Sequence, residues 1–433
     1  MRASLHFLLA FGLGAWACGD DSGRMVGTDA GRDSGTTRDG GGGGDGTLAL
    51  EVLHVLEGGE TEPAAGARAV LDRPGGGQEE LAVGADGRVT FEGLDFSLGK
   101  ATVTFWDEGY VLTAITNVGE AGVPAPIHLL RRVEPGDVVT VSGTVSGMMD
   151  AAMNTLVMST TTGGFYNGGP SYSMEVPTGE AGEMVVFEYS SSNVTRGSEA
   201  TLHQAVTVPL SAPAADTTLD FDFATPATLT TVSGSIAAPS SLRGDSALNT
   251  GEVFIRVSGN DIGGAFLGTQ TRFEESASGF DYDLSFVELA AAAEPYTAFI
   301  VNDLPEQSLV FVEGWPTAGM QDIELLDPPT VLEPDFGVDL AWSATVRWES
   351  VDLNDVGAAI QVFDQDLDRL RAVTLVVPGV GSARLPQLPS GVTMDDVLGG
   401  GTPEARVALC DPRPARPWTC DRIAVGRAFG VTP

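Results

Sequence analysis

From residue 47 onward the apolar side chains come in short bursts, often alternating with polar ones at every second position, and each burst is bounded by Gly, Pro, Asp or Ser. Alternation of period two marks a half-buried strand, because successive Cβ atoms of an extended chain point to opposite faces. Residues 47–53, 101–106, 138–145, 184–189, 253–257, 309–312, 344–348 and 372–377 are short runs rich in β-branched and aromatic side chains and bounded by Gly, Pro, Asp or Ser, which predicts strands whether they alternate or are continuously apolar. Helical patterns are few. Residues 287–294 carry one, stopped by Pro295, and residues 393–398 another, in which Thr393 and Asp396 have the spacing of a capping box.

Short strands separated by 56 Gly and 25 Pro residues predict an all-β fold, with several β-sandwich modules of transthyretin-like or Ig-like kind in series. A faint internal period supports several modules over one: Val-Ser-Gly opens a strand at Val141 and again at Val232. The expected units are residues 47–134, 135–226, 227–334 and 335–433, the last boundary resting on composition.

The first unit carries more detail. Gly66 precedes residues 67–72, Asp86-Gly87 separates two alternating runs, Phe91-Glu92-Gly93-Leu94 follows, and the run after Lys100 ends at Gly109-Tyr110. This arrangement resembles the carboxypeptidase regulatory-like domain, a small transthyretin-like β-sandwich. It departs from that family at Gly99-Lys100-Ala101, where Gly-x-Tyr is usual. The resemblance covers about 65 residues and implies an accessory or adhesive module without catalytic groups. Independently, Asp86-Gly87 between alternating runs is a hairpin signal, and Gly109 suits a turn with positive φ.

A different pattern opens the chain. Residues 5–16 are almost wholly apolar after Arg2, apart from His6, and lead through Ala15, Trp16 and Ala17 into Cys18. A run of about 12 residues is too short to span a bilayer but suits the core of an export signal. It resembles a bacterial lipoprotein signal peptide, although Ala15 stands where Leu is commonest and Trp16 where a small residue is usual. The resemblance implies that residues 1–17 are removed and that Cys18 is lipidated, anchoring the chain to a membrane. Gly19, in place of a retention-type Asp, then points to the outer membrane of a bacterial cell envelope, on its periplasmic or its surface side. The alternative is an ordinary cleaved signal and a soluble secreted protein. Residues 18–46 hold only Met25 and Val26 as large apolar groups, so they predict a disordered Gly/Asp-rich tether. Its root-mean-square span is about 30 Å.

Charge narrows the partners. The chain has 23 basic and 59 acidic residues, a formal net charge of −36, which repels nucleic acid and bare anionic lipid. Its expected partners, besides the membrane reached through the lipid, are a protein or a glycan. Cys410 and Cys420 are the cysteines beyond Cys18. In an exported chain they predict a disulfide, worth roughly 2–3 kcal/mol for so short a loop; a metal site there is the lesser alternative, because no His follows His203.

Catalytic patterns are sparse. His54, His128 and His203 lack the spacing of zinc ligands, no Gly-x-Ser-x-Gly elbow occurs, and Lys100, the single lysine, precedes Ala101 and not a Ser or Thr. No cofactor is expected. Asp352, Asp355, Asp364, Asp366 and Asp368 suggest a Ca²⁺ cluster, yet Arg369 and Leu375 break the EF-hand pattern. The simpler explanation of Asp364, Asp366 and Asp368 is the wet face of an edge strand, and the Asp281, Asp283 pair is weaker still. Trp315, Trp342, Trp348 and Trp418 could form a sugar-stacking platform or fill a sandwich core. The expectation is a non-catalytic, lipid-anchored envelope protein displaying modules for structural or adhesive contact. Its alternatives are a carbohydrate- or calcium-binding accessory module and a carboxylate-based hydrolase.

Overall fold

The computed structural model describes residues 46–432 apart from residues 57–59, 121–122, 124–125, 133–136, 150–153, 160–164, 180, 193–198, 238–248, 261–262, 268–273, 276–278, 287–294, 304–305, 314–322, 355, 365–368, 400–402 and 414–415. All eight predicted runs fall on strands, save that Ala344 and Val377 lie just outside Thr345–Glu349 and Arg369–Val376, and the fold is all-β. The helix expected at residues 287–294 lies outside the described residues. The one at Met394–Leu398 is present, with Thr393 and Asp396 closing a capping box.

The first unit is a sandwich of two sheets. Strand Gly46–Val55 pairs antiparallel with Arg88–Leu94 and Thr61–Pro63, and parallel with Ile127–Leu130. Facing it are Gln78–Ala82, Arg68–Asp72, Ala101–Trp106 and Leu112–Val118, in that spatial order. Leu48, Leu50 and Val52 turn inward from one sheet and Leu71, Val103 and Phe105 from the other, while Thr47, Ala49 and Glu51 face water. The inward side chains are the every-second residues of each strand, so the pleat alone places them.

One local expectation changes. Asp86-Gly87 does form a turn, with Gly87 at φ +78°, but the strands it joins, Gln78–Ala82 and Arg88–Leu94, lie in opposite sheets and do not form a hairpin. The cause is a third strand: Val52 N donates to Gly87 O at 2.7 Å, drawing the turn onto Gly46–Val55. A Cβ at Gly87 would stand 2.9 Å from Val52 O, so the glycine allows the close approach as well as the positive φ. Gly109, at φ +83°, behaves as expected.

The second unit forms two four-stranded sheets of its own, whereas the third and the last each keep one smaller sheet and give their remaining strands to a sheet shared with the first. Among the described residues a continuous 13-stranded sheet runs from the third unit through the last to the first. Glu306–Glu313 of the third unit pairs antiparallel with Arg416–Thr432 of the last. On the far side Arg369–Val376 pairs in parallel with Leu112–Val118 of the first. Chain order and spatial order therefore differ, because the last unit sits in the middle. One apolar core crosses all four units, from Phe91 and Phe105 through Phe187 and Val232 to Leu375 and Ile423.

Candidate functional site

The best-formed cluster of polar side chains lies where the first and last units meet. Arg68, on an interior strand of the first unit, donates from Nη2 to Ser390 O at 2.7 Å and from Nε to Glu80 Oε1 at 2.6 Å. Ser390 N in turn donates to Glu80 Oε2 at 3.3 Å. Burial pushes the Glu80 carboxyl up, but the hydrogen bonds from Arg68 and Ser390 outweigh it and hold the group below the usual glutamate value. Charge-assisted bonds of this kind favour the ionised carboxylate.

A second group continues the seam. Arg132 donates from Nε to Tyr110 O at 2.6 Å and from Nη1 to Asp396 O, in the short helix of the last unit, at 2.7 Å. Its guanidinium carbon lies 4.5 Å from the centroid of the Trp106 ring, a cation–π distance. Tyr110 stacks on His54 at 3.9 Å and 11°, and His54 Nε2 stands 2.9 Å from Asp107 Oδ2. Burial, then the charges of Glu62 and Asp107, raise the Tyr110 phenol above its usual value. These contacts tie strands and loops of the first unit together and, through Arg68 and Arg132, bond it to the last, so the arrangement suits holding a joint closed.

The residues singled out in the sequence fall into three sets. Cys18 lies outside the described residues, as do Asp355, Asp366, Asp368 and Trp315; the side chains of Asp281, Asp283, Trp418 and Cys420 do as well. Cys410 is buried in the core, and its backbone faces Ile423, while Cys420 faces Pro412 across the same pair of strands. Trp342 and Trp348 fill the core of the last unit, the Trp342 indole N–H donating to Pro386 O at 2.6 Å, so neither belongs to a sugar platform. His54 and His128 are buried on strands and His203 is half-buried on another. Burial drives the His128 imidazole down to about 4, partly opposed by a hydrogen bond with the Pro126 backbone.

The edge-strand explanation fails for Asp364. It ends Gly357–Asp364, an interior strand flanked on both sides, and is 3% exposed. Its Oδ2 lies 3.7 Å from Nη2 of Arg371, itself 4% exposed. Asp352 is likewise engaged, accepting from Asp327 N at 2.6 Å. Among the described residues no three His, Cys, Asp or Glu side chains converge as a metal site would need.

The sequence did not flag the buried arginines. Arg406, 2% exposed, donates from Nε to Gln361 Oε1 at 3.1 Å and packs 4.1 Å from the Phe363 ring. Beside it burial raises the Glu404 carboxyl, and the charge of Arg406 works against that. The available signal was an arginine at an inward position of an otherwise apolar strand, which buried pairing alone makes tolerable.

No family model matches the chain, and no curated protein matches it. Solved structures show slight likenesses. The Bacillus anthracis TIE protein is 11% identical over 65% of this chain, with a TM-score of 0.16, and this chain spans about half of it, 50%. The shaft pilin SpaA of Lactobacillus rhamnosus GG is 8% identical, covering 41% of this chain and 98% of the pilin, with a TM-score of 0.15. A solved chain from work on the host cell surface retention of a 1.5-MDa bacterial ice-binding adhesin is 14% identical, covering 65% of this chain and 92% of that one, with a TM-score of 0.11. Likenesses of this size assign neither a family nor a role, and the all-β architecture stands on the strands themselves.

Proposed function

We propose that the chain is a non-catalytic, lipid-anchored protein of the bacterial outer membrane, whose β-sandwich body makes structural or adhesive contacts with a protein or glycan. The observation that carries the reading is the shared sheet together with an apolar cluster that draws side chains from all four units: they join into one body whose polar groups tie its parts together. Residues 5–18 supply the anchor through Cys18, and residues 19–46 supply a spacer that keeps the acidic body off the lipid. Cys410 and Cys420 close a disulfide across the strands that carry them.

Detergent-phase partitioning tests the reading. Native full-length protein is expected in the detergent phase, and the Cys18→Ala variant in the aqueous phase. Native protein that stays aqueous, or whose intact mass shows an unmodified amino terminus, overturns it.

A further inference from the structure

Strand Thr330–Glu333 runs into a loop that turns its apolar side chains outward. Leu332, Phe336 and Val338 are 41%, 84% and 52% exposed, and Phe336 is the most exposed large apolar side chain among the described residues. Scattered exposed apolar residues are ordinary on a soluble body, but three within seven positions form a patch.

The loop is built to hold its shape. Val338 N donates to Asp335 O at 3.1 Å, closing a turn whose third residue, Gly337, has φ +76°, a value that favours glycine at that corner. Arg427 reaches it from Arg416–Thr432, donating from Nη2 to Val331 O at 3.2 Å and also to Pro334 O. The same guanidinium lies 5.7 Å from the Phe336 ring. Just beyond, Leu340 pairs with Val431. Phe336 is thus presented from a stapled turn, and docking it orders little further chain.

We propose that Leu332, Phe336 and Val338 form a docking anchor that enters an apolar pocket on a basic protein partner. Charge selects the partner. Glu333, Asp335 and Asp339 are exposed around the anchor, Arg347 pairs with Glu333 at 3.2 Å, and the chain as a whole carries a formal −36. A second copy of this chain, or an anionic bilayer, meets like charge there. A few well-packed aromatic and aliphatic groups carry most of the energy of such contacts. The inference rests on the adhesive reading of the body and not on the lipid anchor.

The test places a photoreactive residue in the full-length chain in its native cells, as Phe336→p-benzoylphenylalanine and separately as Val351→p-benzoylphenylalanine. Val351 is 76% exposed and lies outside the loop. Irradiation is expected to link position 336, and not 351, to one basic protein. That protein, purified, is expected to bind the wild-type chain in a salt-sensitive way. Phe336→Ala should weaken binding at least about tenfold and Asp335→Asn by less, both with unchanged melting temperature. The proposal is overturned by the same adduct from both positions, by adducts only with lipid or a second copy, by no adduct, or by affinity insensitive to Phe336→Ala. An aqueous native chain that still gives the basic adduct refutes the anchor and keeps the contact. A detergent-phase chain without the adduct does the reverse.

Discussion

Arg132 in the first unit donates to the backbone carbonyl of Asp396 in the last, 264 positions along the chain, at 2.7 Å. Together with the parallel pairing of Leu112–Val118 and Arg369–Val376, this bond makes the first and last units depend on each other. Arg132→Ala is expected to cost about 2–4 kcal/mol, from the two charge-assisted hydrogen bonds to Tyr110 O and Asp396 O and the contact with Trp106. Hydrogen exchange checks it: protection in both strands should fall together. Loss confined to the strand near Arg132 would contradict the coupling.

Asp364 and Arg371 form the buried pair with most at stake. Asp364→Ala removes the carboxylate 3.7 Å from the buried Arg371 guanidinium and should cost roughly 3–5 kcal/mol in denaturant titration. Adding Arg371→Leu removes the buried charge that Asp364 balances, so the double variant is expected to be more stable than Asp364→Ala alone. The opposite order would show that the pair does not compensate.

Gly87→Ala combines two penalties, the positive φ and the approach to Val52 O. About 1–3 kcal/mol of destabilisation is expected, measured by thermal unfolding. An unchanged melting temperature would mean that the turn relaxes away from strand Gly46–Val55.

His128 makes stability depend on pH. Its folded value of about 4 lies below the ordinary 6.5, so the unfolded chain binds the proton more readily. Stability is therefore complete above pH ~6.5 and declines as pH falls toward ~4, by up to about 3 kcal/mol. Glu80, held below its ordinary value, adds a loss at still lower pH, since its stabilisation is present above ~4.5 and disappears as pH falls through its folded value. His128→Gln should flatten the profile between pH ~4 and ~6.5 and leave the lower limb in place.

The proposed Cys410–Cys420 bridge is read by mass. Non-reduced, alkylated protein should carry no label at either position, and Cys420→Ser should lower stability by roughly 2–3 kcal/mol under oxidising conditions. Full alkylation without reductant would rule the bridge out.

The elements legible in the sequence were those whose signal is local. Residues 47–52 alternate because one face of that strand is buried, and Thr393 with Asp396 caps its helix through contacts three residues apart, so both could be read without knowing any distant partner. Asp86-Gly87 shows where local reading stops: the turn is encoded in two residues, but which sheet receives the next strand depends on the bond from Val52. The same holds for Asp364, which looks like a solvated acid until Arg371 is placed beside it. The Phe336 turn was missed for a related reason, since Arg427, which staples it, comes from the final strand.

By itself the sequence determined the pleated character of the body, the breaks between its strands, and the acidic, lysine-poor composition that narrows its partners, because these depend on neighbouring residues and simple sums of charge. Only the tertiary structure decided that the last unit lies between the first and third, that arginines sit inside the shared sheet, and that one apolar core joins all four units. Those outcomes turn on which strand edges meet, and an exposed edge of backbone N–H and C=O groups looks much the same in any strand until long-range packing selects its partner.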